Sequence, residues 1–102
     1  MGNVDVPESI QNCLKVFKIG CYNFSIARFM RLAVNGEHRQ FLIELKSAKR
    51  ENLNNLAYYY ELGIVNDDYR NNRYRSINEA YETLIEWIKS LNNSDTLDMF
   101  YR

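Results

Sequence analysis

The sequence predicts an all-α fold, arranged as one small domain of about four helices. Three glycines, Gly20, Gly36 and Gly63, each follow a segment whose apolar residues recur every three or four positions. This spacing places apolar side chains on one face of a helix. A glycine after such a segment is typical of a helix end, where it is expected to take the left-handed conformation. The 102 residues, 46% hydrophobic and 25% charged, suffice for one core, so residues 1–102 are expected to form a single domain.

The first two helices are predicted over residues 7–19 and 23–35. Pro7 suits the first turn of a helix, and apolar residues follow it at helical spacing: Ile10, Cys13, Leu14 and Phe17. Asn23 is the expected N-cap of the second helix. Asn35-Gly36 is also a strong β-hairpin signal, so a hairpin turn here stays an alternative to a link between helices.

A third helix is predicted over residues 38–62, and it contains three adjacent tyrosines. Successive helical residues point about 100° apart, so three in a row cannot share one buried face. Tyr59 and Tyr60 fall within the apolar arc centred near Leu45 and Leu56, and we expect them in the core. Tyr58 lies on the opposite side, and we expect it to face solvent or a partner.

The last helix is predicted over residues 77–91. Residues 66–75 are polar and bulky, which favours a loop or a single helical turn before it. Ser76 and Glu79 match a capping box at the helix start, and Leu84 and Trp87 are expected in the core. The segment after this helix has two open interpretations: a final turn capped by Ser94 that closes the core, or disorder.

Composition excludes several classes of protein. Thirteen basic and thirteen acidic residues give no net charge, but the two signs are unevenly distributed. Residues 15–50 carry eight basic and two acidic side chains, whereas residues 51–102 carry five basic and nine acidic side chains. This asymmetry suits an oriented contact with a charged partner, or self-association, better than general polyanion binding. Cys13 and Cys21 are expected to be reduced and mostly buried. With no signal peptide or membrane span evident, the expected location is cytoplasmic; no metal site or cofactor is expected.

The segment from Leu53 to Tyr69 has the sequence LNNLAYYYELGIVNDDY. It resembles the second helix of tetratricopeptide-type repeats, particularly the Sel-like variety, over about one sixth of the chain. The corresponding positions are Asn55, Leu56, Ala57, Tyr60, Gly63, Asp68 and Tyr69. The resemblance implies protein binding on the faces of helices.

Two further resemblances imply other functions. Residues 16–31 are similar to a helix-turn-helix, with Gly20 in the turn, and this similarity implies DNA binding through the outward residues Asn23, Phe24, Arg28 and Arg31. Arg31 and His38, separated by six residues, resemble the Arg-x(4–6)-His signature of the HEPN helical ribonucleases. That signature implies general acid–base chemistry.

The leading hypothesis is a small, non-enzymatic module that binds another protein and acts as its inhibitor or regulator. DNA binding and an HEPN-like ribonuclease activity are the alternatives. Tyrosine and arginine are the residue types that carry most interface energy, because each combines a large contact area with directional hydrogen bonds. The predicted contact residues are Phe24, Arg28, Arg31, Leu32, Tyr58, Tyr69, Arg70, Arg73 and Tyr74.

Overall fold

A computed structural model describes residues 5–92, which form four α-helices joined by short links. The helices are α1 (Glu8–Gly20), α2 (Ile26–Val34), α3 (His38–Glu61) and α4 (Asp67–Asn92). Residues 5–92 contain no strand, so the predicted all-α bundle is confirmed and the hairpin alternative at Asn35-Gly36 is wrong. None of these helices is long and apolar enough to cross a membrane.

The helices alternate in direction along the chain. Asn52 and Asn55 of α3 bind the carbonyl oxygens of Phe17 and Gly20. Both pairs advance by three residues, so α1 and α3 run in the same direction. α2 and α4 run antiparallel to α3. On α2, Arg28 contacts Glu44, and the next residue, Phe29, contacts Phe41, which comes earlier on α3. On α4, Asp67, Arg73 and Trp87 contact Tyr60, Asn52 and Phe41 respectively, so the α3 partners fall in number as the α4 residues rise.

A row of contacting aromatic rings runs through the core and links all four helices. Ring centroids lie 5.8 Å apart for Phe17 and Phe24, 4.5 Å for Phe24 and Phe29, 5.2 Å for Phe29 and Phe41, and 6.3 Å for Phe41 and Trp87. Each aromatic pair at such a separation stabilises a core by about 0.5–1.5 kcal/mol in addition to the contribution of the area that it buries. Phe24 takes part from the link before α2, so the prediction that it faces outward is wrong.

Two of the three internal glycines, Gly36 and Gly63, end helices in the left-handed conformation, as predicted. Gly36 and Gly63 both have φ of 79°, in the left-handed region that favours glycine. After each of them an amide reaches back five residues: Glu37 N–H donates to Leu32 O, and Ile64 N–H donates to Tyr59 O. This is the Schellman pattern of helix termination. At the start of α2 the N-cap is Ser25, whose Oγ accepts from Arg28 N–H, and not the predicted Asn23.

α4 begins ten residues earlier than predicted. Asn66 Oδ1 accepts a hydrogen bond from Tyr69 N–H at 2.8 Å, which is an N-cap, and Asp67 and Asp68 follow in the first turn, where acidic side chains favour the helix dipole. Residues 67–75 are therefore helical and not a loop. Because the helix is already formed at Ser76, the predicted capping box from Ser76 to Glu79 is wrong.

The buried set differs from the predicted core at three aromatic positions. Leu84 is fully buried as expected, whereas Trp87 is half-buried and packs against the core. Tyr60 is also half-buried, and its hydroxyl donates to Asp67 Oδ1. Tyr59 remains 47% exposed, so its assignment to the core is wrong. The predicted final turn with Ser94 lies outside the described residues.

Leu84→Ala should lower the free energy of unfolding by about 2–5 kcal/mol, because it leaves a cavity at a site with no solvent access. Such a loss is a large part of the roughly 5–15 kcal/mol that stabilises a typical small domain. Glu82→Ala, an exposed position on the same helix, is the control and should stay within about 0.5 kcal/mol. Urea denaturation measures both, and equal stability of the two variants would contradict the buried position of Leu84.

Candidate binding groove at the end of α1

α1 ends before its two long neighbours do, and a groove opens at this point. Asn52 and Asn55 of α3 lie against the last turn of α1, and Tyr59 follows them on the same face of α3, at the i, i+3, i+7 spacing. On α4, Arg73 contacts α1 at Val16 O, and Tyr69 lies one turn further out. The faces of α3 and α4 that pack on α1 therefore continue beyond the end of α1. The positions there that α1 does not cover are occupied by Tyr59 and Tyr69.

The groove has a volume of about 410 Å³. Its residues come from the end of α1 and the following link, from α3, and from the start of α4: Lys18, Ile19, Gly20, Cys21, Tyr22, Asn52, Asn55, Leu56, Tyr59, Val65, Tyr69 and Arg73. Tyr22, Tyr59 and Tyr69 are exposed, while Asn52 at the base is 1% exposed. Tyrosines thus form the rim and polar groups form the floor.

Hydrogen bonds to the last turn of α1 build that floor. Asn52 Nδ2 donates to Phe17 O at 3.2 Å and to Ala48 O at 3.0 Å. Asn52 Oδ1 accepts from Arg73 Nη2 at 3.1 Å, and the same nitrogen donates to Val16 O at 3.2 Å. Of these acceptors, Phe17 O is one of the last four carbonyls of α1, which a helix end leaves without partners in the helix. The Arg73 cation lies near the same end, where the helix dipole is negative.

Gly20 is required here for space and not for its backbone angle. It is the last residue of α1, outside the left-handed region that Gly36 and Gly63 occupy. A Cβ atom at this position would overlap Asn52 Oδ1 and would lie 2.9 Å from Arg73 Nη2. The sequence prediction of a left-handed helix cap at Gly20 is therefore wrong, and the glycine instead lets α3 and α4 approach the end of α1.

Burial changes the pKa values of two groove residues, Arg73 and Cys21, and of Cys13 elsewhere, on α1. Desolvation lowers the pKa of the Arg73 guanidinium from its ordinary value, with Tyr69 acting weakly in the opposite direction. Desolvation also raises the pKa of the Cys13 and Cys21 thiols, and both cysteines are unpaired. Thiols with raised pKa values stay protonated near neutral pH and are poor nucleophiles.

The structure brings together only two of the predicted contact residues in this groove, Tyr69 and Arg73. Arg70 and Tyr74 line a second depression of about 360 Å³ with Leu53, Leu56, Ala57 and Asn71. The Arg70 guanidinium lies 4.2 Å from the centre of the Tyr60 ring, a cation–π contact. Tyr58 is exposed as predicted, and its ring touches that of Tyr59.

The predicted contact residues of the first half of the chain lie elsewhere. Phe24 and Leu32 are buried, at 4% and 5% exposure, so neither is available to a partner in this fold. Arg28 forms a bidentate ion pair with Glu44 of α3, with Nε 2.7 Å from Oε1. Arg31 is exposed on the last turn of α2.

Sequence analysis missed Asn52, Asn55 and Tyr59 as groove residues, although a signal was present. Asn52 lies seven residues after Leu45 and four before Leu56, on the same helical stripe. A polar residue on an apolar stripe predicts a buried hydrogen-bonded site, because an unpaired amide in a core is costly. That signal marks the floor of the groove, but it does not reveal that α1 ends beside it.

Comparison of the chain with protein-family models, with curated proteins and with solved structures found no match. The resemblances to Sel-like repeats and to helix-turn-helix units therefore stay predictions. Among residues 5–92, no three histidine, cysteine or acidic side chains are grouped so that they could hold a metal ion.

Gly20→Ala should destabilise the protein, and the size of the effect should depend on Asn52. The added methyl group displaces the Asn52 amide and breaks its bonds, and losing a buried partner costs about 1–3 kcal/mol. In an Asn52→Ala background the clash with the amide is gone and only the flexible end of the Arg73 side chain has to shift, so Gly20→Ala should cost much less there. Urea denaturation of the four proteins in this double-mutant cycle should give a coupling energy of about 0.5–3 kcal/mol. If the effects of Gly20→Ala and Asn52→Ala on the free energy of unfolding were additive, the close contact between Gly20 and the Asn52 amide would be contradicted.

Because of the ion pair between Arg28 and Glu44, the free energy of unfolding should depend on pH in the acidic range. Hydrogen bonding from Arg28 lowers the pKa of Glu44 below its ordinary value of 4.5, so this stabilisation is present above pH 4.5 and is lost as the pH falls through the lowered value. Wild type should therefore melt at a higher temperature than Glu44→Gln at pH 7. The difference should shrink at pH 3, and an unchanged difference would contradict the assignment.

Proposed function

We propose that this protein is a small binding module that holds a segment of another protein in the groove at the end of α1. The observation that carries the proposal is the uncovered continuation of the α3 and α4 stripes, where Tyr59 and Tyr69 occupy positions that α1 would otherwise bury. A partner segment placed there would cover these rings and complete the packing of the bundle end.

The residue types of the groove support this function. Tyrosine and arginine dominate the energetics of protein interfaces, and the groove combines three exposed tyrosines with the half-buried Arg73. All these side chains except Tyr22 are on helices, which hold them in place before a partner arrives. Preorganised contacts cost less conformational entropy on binding. Control of the partner, as an inhibitor or regulator, is the role we infer for such a module.

Further exposed apolar side chains extend the surface beyond the groove. Ile19 lines the groove at the end of α1, and Leu62 and Ile64 flank Gly63 in the link between α3 and α4; their exposures are 70%, 55% and 64%. Single exposed apolar residues are ordinary on a protein surface, but several near the same site add apolar area that a partner can cover. The unpaired thiols of Cys13 and Cys21 are compatible with a cytoplasmic partner.

The observations favour this function over the two alternatives. Of the side chains that a helix-turn-helix would direct at DNA, Phe24 is buried and Arg28 is engaged by Glu44, which leaves Asn23 and Arg31. The ribonuclease alternative needs an accessible His38, whose side chain is 92% buried with an unpartnered Nδ1. Titration with a generic DNA duplex tests the first alternative, since DNA binding weakens steeply with salt.

A variant with both Tyr59→Ala and Tyr69→Ala should lose its partner while it keeps its fold. Immobilised wild type, this double variant and Ile43→Ala are each incubated with a lysate of the organism that makes the protein, and retained proteins are identified by mass spectrometry. Ile43 is an exposed apolar residue of α3 that lines neither groove nor depression, so it is the matched control.

At least one protein should be retained by wild type and by Ile43→Ala and lost with the double variant. Thermal melts should show that the double variant stays folded, because surface substitutions usually change stability by less than about 0.5 kcal/mol each. Identical sets of retained proteins on all three baits would overturn the proposed function.

A further inference from the structure

The groove has a positively charged lining, and no acidic side chain among its lining residues balances that charge. Lys18 and Arg73 line it, and none of its lining residues is an aspartate or a glutamate. Two acidic side chains lie nearby without lining the groove: Asp67 accepts from the Tyr60 hydroxyl, and Glu51 contacts the thiol of the lining residue Cys21. Neither carboxylate is paired with Arg73, so the groove lining supplies two cations and no anion.

Arg73 is only partly used by the fold. Both of its hydrogen bonds come from Nη2, one to Val16 O and one to Asn52 Oδ1. The Nε and Nη1 atoms of this half-buried guanidinium have no hydrogen-bond partner among residues 5–92. Guanidinium presents its donors in a planar fork that matches a carboxylate, so the two unused nitrogens can bind one.

Lys18 adds a second positive charge at the groove edge. Its Nζ atom donates to Tyr22 O and to Phe24 O, both at 3.0 Å. These carbonyls are neutral, so they position the ammonium group without cancelling its charge. Because it is fixed at the groove edge, this charge adds to the positive potential around Arg73.

The rest of the groove is apolar and aromatic. Ile19, Leu56 and Val65 line the groove with aliphatic surface, together with the rings of Tyr59 and Tyr69. A site of this kind fits an apolar side chain beside an anionic group, whereas a small inorganic anion would leave the aliphatic part uncovered. The chemistry of the groove therefore matches a peptide segment with an acidic residue next to an apolar one.

We propose that the occupant of the groove is an acidic segment of a partner protein, one of whose aspartate or glutamate carboxylates pairs with Nε and Nη1 of Arg73. An apolar neighbour of that acidic residue packs between Tyr59 and Tyr69. This inference rests on the proposed binding function, and it adds the chemistry of the partner.

The experiment selects peptides from a displayed library of random twelve-residue sequences on the immobilised wild-type protein. Sequences that also bind the double variant Tyr59→Ala, Tyr69→Ala are discarded. The remaining sequences should share an aspartate or glutamate beside an apolar residue. One of them is then synthesised together with a copy in which this acid is replaced by its amide, Asp→Asn or Glu→Gln.

The amide copy should bind wild type at least about tenfold more weakly, since a charge-assisted hydrogen bond is much stronger than a neutral one. This comparison leaves the protein unchanged and so does not depend on how well any variant folds. Arg73→Gln should bind the acidic peptide and its amide copy equally, and Arg73→Lys should keep part of the preference for the acid. Ile43→Ala should behave as wild type.

The outcomes separate this inference from the function it rests on. Groove-dependent peptides without a shared acid, or an amide copy that binds as well as the acid, overturn the acidic partner and leave a binding module. Self-association of wild type that Tyr59→Ala abolishes would assign the groove to a second copy and also overturn it. If no peptide depends on the groove, the inference fails, and the lysate experiment decides whether the binding function fails with it.

Discussion

The arrangement of α1, α3 and α4 depends on the hydrogen bonds of one buried side-chain amide, that of Asn52. It bonds to α1 at Phe17 O and to α4 at Arg73 Nη2, and it lies on α3. A buried amide stabilises a fold only when its donors and acceptor are all paired, so it fixes the relative positions of the helices that pair with it. Gly20 belongs to the same contact, because any side chain there would take the space of the amide.

That contact also sets where the groove lies. Asn52 and Asn55 hold the end of α1 at a fixed level on α3, and α3 continues for about one and a half turns beyond Asn55. α4 covers the same distance from the other direction, because its first turns pack beside the last turns of α3. The groove is the volume that a longer α1 would fill, and its walls are rigid since both belong to long helices.

The bundle divides its chemistry between its two halves. The rings of Phe24, Phe29, Phe41 and Trp87 contact one another in the half that contains α2, where buried aromatic area contributes to stability. The other half has the hydrogen bonds to the end of α1 and the exposed rings of Tyr22, Tyr59 and Tyr69. The aromatic core and the candidate groove thus occupy separate regions, so the residues of the groove rim can change without disturbing the aromatic core.

The sequence by itself determined the fold class, the number of helices and the glycine ends at Gly36 and Gly63, because helical periodicity and left-handed caps are local properties. It also indicated that Tyr69 and Arg73 are available for contacts. Only the tertiary structure decided that Phe24 is buried, that Tyr59 is exposed and that Gly20 is needed for close approach. Phe24 is buried because its ring packs against Phe17 and Phe29. The other two outcomes depend on where α1 ends relative to α3 and α4, and contacts between residues 35 or more positions apart set that level.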